Sequence, residues 1–144
     1  MVVSSCRVNQ TRRIRLLLVD DNPAVLRQVT QVLPCDFEIL DTFESGERLE
    51  SAIAALTPDA IVLDISLPGE NGIVLASRLT RAGCPSRIVF LTVHHDADYV
   101  GSALAAGAIG YVVKMRLSLD LEPALRAAVE GERFISPLPE LRVD

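Results

Sequence analysis

The chain has 144 residues, 49% of them hydrophobic and 23% charged, with a formal net charge of −5. That length suits one domain able to bury a core without disulfide or metal staples, and the apolar fraction excludes a disordered chain. The acidic balance excludes an extended nucleic-acid surface, which needs clustered Lys and Arg, and no apolar run approaches the roughly 18 residues of a membrane span.

Residues 1–13 are polar and patternless and read as a flexible N-terminal tail. They hold Arg12 and Arg13, which with Arg15 form the only basic cluster, read as a solvated end. The start has no apolar stretch of secretory type, because Leu16 to Val19 is cut short by Asp20. Cys6, Cys35 and Cys84 are scattered, with no CxxC spacing. They are expected to be reduced thiols in a cytoplasmic protein.

From Ile14 two kinds of segment alternate. Ile14–Val19, Phe37–Leu40, Ala60–Leu63, Ile88–Leu91 and Ile109–Val113 are short and rich in Ile, Val and Leu. Several lack polar alternation, as expected for strands buried on both faces of a parallel sheet. Between them, apolar residues recur at helical spacing: Val25, Val29 and Val32; Leu49, Ile53 and Leu56; Leu75 and Leu79; Val100 and Leu104; Leu121, Leu125 and Val129. Asn22-Pro23 offers an N-cap with proline at the first helical position. Asp96 is a candidate cap for the fourth helix, and Gly131 a stop for the last. Pro123 belongs in a first turn rather than a helix interior, so Asp120 is predicted to begin the last helix.

Five strands alternating with five helices specify an α/β fold: a doubly wound, five-stranded parallel sheet of order 2-1-3-4-5. The domain is expected over 14–132, with 133–144 a C-terminal linker or tail. In such sheets ligands bind at the carboxyl ends of the strands, beside the switch point.

At those ends the polar residues fall in a pattern. The first strand runs into Asp20-Asp21, the third into Asp64, the fourth into Thr92 and the fifth into Lys114. Alone, each has a structural explanation. An aspartate after a strand commonly caps a helix, but Asp64 is separated from the next helix, expected near Asn71, by a six-residue loop, Ile65 to Glu70. Three carboxylates at one place repel unless a cation sits among them or one is protonated. Oxygen-only ligands suit a hard cation, Mg²⁺ with Mn²⁺ an acceptable substitute. A carboxylate can attack phosphorus to give an acyl phosphate, and a neighbouring ammonium and hydroxyl can stabilise the charge on the transferring group.

Leu-Val-Asp-Asp at 18–21, Asp-Ile-Ser-Leu-Pro-Gly-Glu-Asn-Gly at 64–72, Leu-Thr at 91–92 and Gly-Tyr-Val-Val-Lys at 110–114 resemble the receiver domains of two-component response regulators, over about residues 14 to 132. The resemblance implies a flavodoxin-like receiver fold and Asp64 as phospho-acceptor. It implies a metal held by Asp21, Asp64 and the backbone carbonyl of Ser66, with Asp20 acting through water. Lys114 and Thr92 would stabilise the phosphoryl group, and Thr92 with Tyr111 would form the switch. It also implies a sensor histidine kinase or phosphotransfer protein as donor, autocatalysed transfer and dephosphorylation rather than enzymatic turnover, and homodimerisation on activation. Leu104 to Lys114 and Ala124 to Gly131 look like the NarL/FixJ subfamily, whose members carry a C-terminal helix-turn-helix output domain for transcription. The thirteen residues after Gly131 are too few for one, and a truncated linker is the favoured expectation. Neither nucleic-acid nor membrane binding is expected of this domain.

Two departures stand out. Val93 lies where receivers commonly have a small residue, and is expected, with His94, to tune access to the pocket. His94 and His95 are otherwise expected to be exposed loop residues. Met115 follows Lys114 where many receivers have proline, so a trans bond is expected there. Two rival functions share the residues: a Mg²⁺-dependent phosphohydrolase with Asp64 as nucleophile, and a pseudo-receiver that binds partners without phosphorylation. A flavodoxin-like nucleotide-binding protein fits less well, because no glycine-rich loop follows the first strand.

Overall fold

The structure, a computed structural model, describes residues 13–138. The expected tail, save Arg13, and residues 139–144 lie outside that range, as do Cys6 and Arg12.

The elements follow in chain order: β1 (Ile14–Val19), α1 (Pro23–Val32), β2 (Phe37–Phe43), α2 (Leu49–Leu56), β3 (Ala60–Leu63), a two-residue hairpin β4 (Ser66–Leu67) and β5 (Glu70–Asn71), α3 (Gly72–Arg81), β6 (Arg87–Thr92), α4 (Ala97–Ala105), β7 (Gly110–Val113), a 3₁₀ turn (Lys114–Arg116), α5 (Leu117–Val129) and β8 (Phe134–Ile135). The main sheet has the order β2-β1-β3-β6-β7-β8 and every pairing in it is parallel. Its first five strands are the expected 2-1-3-4-5; β8 is a sixth that the sequence reading did not foresee.

The apolar strands are explained by a core on each face. Successive strand side chains point to opposite sides. Leu17, Val19, Ile61, Leu63, Ile88 and Phe90 meet α2, α3 and α4 through Leu49, Ile53, Leu75, Leu79 and Val100. Leu16, Leu18, Val62, Val89, Leu91 and Val112 meet α1 and α5 through Val25, Val29, Leu121 and Leu125. Each fully buried aliphatic side chain contributes about 1.5–3 kcal/mol relative to exposure, so the two-sided burial fixes both strand faces at once.

Local signals behave mostly as expected. The Asn22 side chain accepts a hydrogen bond from the Ala24 N–H, with Pro23 at N1. Asn71 caps α3 in the same way, accepting from Ile73 and Val74. Gly131 takes φ +81°, the left-handed geometry that ends α5. The Lys114–Met115 bond is trans. β2 continues through Asp41 and Thr42 to Phe43 as an edge strand, with those two polar residues exposed.

Four expectations are corrected. α5 begins at Leu117, not Asp120, with Pro123 inside the helix. Buried Leu117 and Leu121 anchor the turns ahead of the proline, and Pro123 lies on the exposed side of the helix, where the missing N–H costs least. The segment after 132 is no linker as far as Leu138: Phe134–Ile135 pairs with β7, and Ser136 and Leu138 are buried. Asp96 occupies the N-cap position of α4 but makes no side-chain cap bond; its carbonyl accepts from Tyr99 and Val100 instead. Cys84 is a free thiol, whereas Cys35, exposed in the turn before β2, forms a disulfide.

Candidate functional site

Backbone hydrogen bonds between strand ends build one rim. Asp20 directly follows β1, and its N–H donates to the Phe43 carbonyl at 2.9 Å; Asp64 directly follows β3, and its N–H donates to the Val19 carbonyl at 3.0 Å. The lateral ladder thus sets the two aspartates side by side. Thr92 closes β6 and pairs with Val113, so Lys114 emerges on the same rim. Gly72, which opens α3, lies against Asp64: a Cβ there would sit 2.0 Å from the Asp64 carbonyl oxygen. The sequence reading gave Gly72 no role, although a glycine at the first helical position after an Asn cap is a signal of close backbone approach.

The side chains converge. Lys114 Nζ is 2.8 Å from Asp20 Oδ2 and 3.1 Å from Asp64 Oδ2. Carboxylate oxygens of Asp20, Asp21 and Asp64 all lie within 4.8 Å of one another. Asp20 and Asp64 are buried and Asp21 is exposed, so the pocket opens on the Asp21 side. Asp20 Oδ1 accepts from the Asn22 N–H and Asp64 Oδ1 from the Ser66 N–H. Asp20 Oδ2 has the Lys114 ammonium as its partner, an ion pair at 2.8 Å.

The electrostatics follow from that geometry. Burial raises the Asp20 pKa, opposed by Lys114 and the Asn22 N–H and reinforced by the charge on Asp64. For Lys114, burial pulls downward, but the two carboxylates outweigh it and the ammonium is held above its ordinary value. One half-buried cation therefore serves two buried anions, with a third acid at the mouth. An all-oxygen donor set of this spacing, three carboxylates with one ammonium between two of them, fits a hard divalent cation.

The remaining predicted residues surround this cluster. Thr92 is fully buried, and its Oγ1 accepts from the His94 N–H at 3.3 Å. Tyr111 is also fully buried, and its hydroxyl donates to the His94 carbonyl at 2.9 Å. Burial, with Asp96, Tyr99 and Asp64 adding negative charge, raises its pKa. The aromatic ring is thus inward while Thr92 is engaged with its own loop. Val93 is 59% exposed at the rim.

His94 departs from the expectation of an exposed loop residue. It is half-buried, stacks on Tyr99 with ring centroids 4.1 Å apart, and places Nε2 3.0 Å from Ser66 Oγ. It bridges the loop after β6 to the hairpin after β3, a contact across 28 positions that no local sequence signal encodes.

The response regulator receiver domain family matches residues 16–126. A transcriptional regulatory protein of Bacillus subtilis, YvfU, is 33% identical over 126 residues, 86% of this chain and 63% of that protein. The nitrate/nitrite response regulator NarL of Escherichia coli is 33% identical over 123 residues, 84% of this chain and 57% of that one. The chain thus spans about three-fifths of the length of these relatives. A LuxR-family response regulator from Aurantimonas superposes with a TM-score of 0.79 at 30% identity, covering 87% of this chain and 91% of that structure. Among the described residues no helix is long and apolar enough to cross a membrane.

Proposed function

The chain belongs to the response regulator receiver domain family, and from that premise we propose that it is a phosphorylation-dependent switch whose acceptor is Asp64. The observation that carries this reading is the half-buried Lys114 ammonium shared by Asp20 and Asp64 at 2.8 and 3.1 Å, beside Asp21. Asp64 attacks phosphorus through a carboxylate oxygen; the bond to the donor breaks, and the electron pair leaves with the donor group. Asp20, Asp21, Asp64 and the Ser66 carbonyl would hold Mg²⁺, or Mn²⁺, which supplies charge neutralisation on the transferring group.

Lys114 follows the charge. It neutralises the carboxylates before transfer and pairs with phosphoryl oxygens afterwards, when the modification brings about −1.5 to −2 charge and three acceptors. The Thr92 hydroxyl, which accepts only from its own loop, would be drawn toward that new charge and take the His94 backbone with it. His94 holds Tyr111, so the loop after β6 and β7 move as one element between two populated states. Val93 and His94 sit where they would tune access. The donor is a phosphohistidine on a sensor kinase or phosphotransfer protein in the cytoplasm. The output is transcription, the role in the printed name of the Bacillus subtilis relative, through a C-terminal DNA-binding domain, with dimerisation on activation.

The reading is tested by adding beryllofluoride with Mg²⁺ and, separately, an external phosphate ester. A switch binds the mimic at one equivalent, with chemical-shift changes at Thr92 and Tyr111, and does not turn over the ester. Steady turnover would identify a phosphohydrolase, and absence of binding a pseudo-receiver.

A further inference from the structure

The 3₁₀ turn that carries Lys114 is enclosed by a buried ring of hydrogen bonds the proposed chemistry does not use. The Val113 N–H, one residue before Lys114, donates to Ser136 Oγ at 3.2 Å. Ser136 Oγ donates to Asp120 Oδ2 at 2.7 Å. Arg116, two residues after Lys114, closes the ring with Nε at 2.7 Å from Asp120 Oδ2 and a second nitrogen at 3.3 Å from Oδ1. Asp120 and Ser136 are 5% and 1% exposed, while the Arg116 side chain is 36% exposed, so water reaches only the arginine arm of the ring. Both ends of the backbone arc 113–116 are therefore tied to one buried carboxylate, half of the tie through Ser136, the residue that directly follows β8. The same strand is fastened to the switch strand by the Ser136 N–H, which donates to the Tyr111 carbonyl at 2.8 Å.

We propose that Ser136 and Asp120 are positioning residues that hold the Lys114 arm over Asp20 and Asp64, so that docking of the C-terminal strand is coupled to the reactivity of the acidic pocket. A short edge strand of two residues contributes little sheet energy, and a buried aspartate–serine–arginine ring is costly to keep unless every member is satisfied. Here every member is satisfied, and the rigidity falls on the four residues centred on Lys114. Coupling of this kind is reciprocal: whatever the pocket binds alters the hold on residues 134–138, the exit toward any following domain. This rests on the reading of Asp64 as acceptor for its consequence, but the positional claim stands on the ring alone.

Two readouts of opposite sign separate positioning from mere support. With Ser136→Ala, the loosened ammonium competes less well with Mg²⁺ for the carboxylates. Mg²⁺ alone should bind about threefold tighter, while acetyl-phosphate labelling slows by about fivefold, the lower end of usual intersite coupling. In a Lys114→Ala background the same substitution should leave Mg²⁺ affinity unchanged, because its effect acts through the amine. Asp120→Asn, close in shape, carries the same pair of readouts if the alanine variant does not fold. Unchanged Mg²⁺ affinity in the native background, or an equal shift with and without Lys114, overturns the proposal. If the native chain shows the Mg²⁺ effects but takes no label at Asp64, the acceptor reading fails and the positioning role survives.

Discussion

The two ends of the parallel sheet handle polar groups in opposite ways. At the amino ends of the strands, charges are satisfied. The Arg15 N–H donates to Asp59 Oδ2 at 2.8 Å and its guanidinium to the Thr57 carbonyl at 2.9 Å; buried Ser86 donates to the Pro58 carbonyl at 2.7 Å. Asp36 receives both terminal nitrogens of Arg126, which holds its carboxyl below the ordinary range. At the carboxyl ends, Asp20 and Asp64 are buried with one shared ammonium, and Asp20 is held above that range by burial. One end closes the fold, and the other keeps charge in excess. On the proposed function, a site that binds a cation and then a phosphoryl group is not fully neutralised in its resting state.

The sharpest way to break the contrast is to remove the amine. Lys114→Ala should slow acetyl-phosphate labelling by about a hundredfold, the usual cost of losing one charge-stabilising donor; stopped-time intact mass measures it. Asp59→Ala, at the other end, should leave labelling unchanged and cost about 1–3 kcal/mol in urea unfolding, because the Arg15 N–H loses its acceptor. A labelling defect there would erase the distinction between the ends.

Two pH experiments sharpen it further. A raised Asp20 pKa means the folded state favours the protonated form, so that preference is complete below the unfolded value of 3.8 and is lost as pH rises through the folded pKa. In EDTA, Asp20→Asn should therefore gain stability over the native chain as pH rises above 3.8, by on the order of 1 kcal/mol, followed by thermal unfolding between pH 3 and 7. For Asp36 the sign reverses. Its folded pKa is lowered, so its contribution is present above 3.8 and vanishes as pH falls through the folded value. Asp36→Asn should cost only a few tenths of a kcal/mol at pH 7, since the Arg126 side chain is 41% exposed and water screens the pair, and nothing in strong acid.

The strands that enter the pocket were the most legible part of the chain, and for one reason. Ile14–Val19 and Ala60–Leu63 have the limits read from sequence because burial on both faces leaves a continuous apolar run with an aspartate at its end. The groups that the structure gathers, Asp20, Asp21, Asp64 and Lys114, were visible as punctuation after such runs. What escaped depends on distant contacts. β8 has two residues and no periodicity; its place is set by hydrogen bonds to Ile109 and Tyr111. The early start of α5 overrides the proline rule because Leu117 and Asp120 are held by tertiary partners. The His94–Ser66 bridge and the Ser136–Asp120 ring join residues 28 and 16 positions apart, and no spacing rule points to either.

On the proposed function, the charge left in excess at one rim directs a phosphoryl group to Asp64. Intact-mass spectrometry after incubation with acetyl phosphate, with and without Mg²⁺, on the native chain and on Asp64→Asn tests this most directly. The account predicts one phosphoryl increment per chain in the native protein with Mg²⁺, and none in the variant or in EDTA. Equal increments in native and variant chains, or labelling indifferent to Mg²⁺, would contradict it.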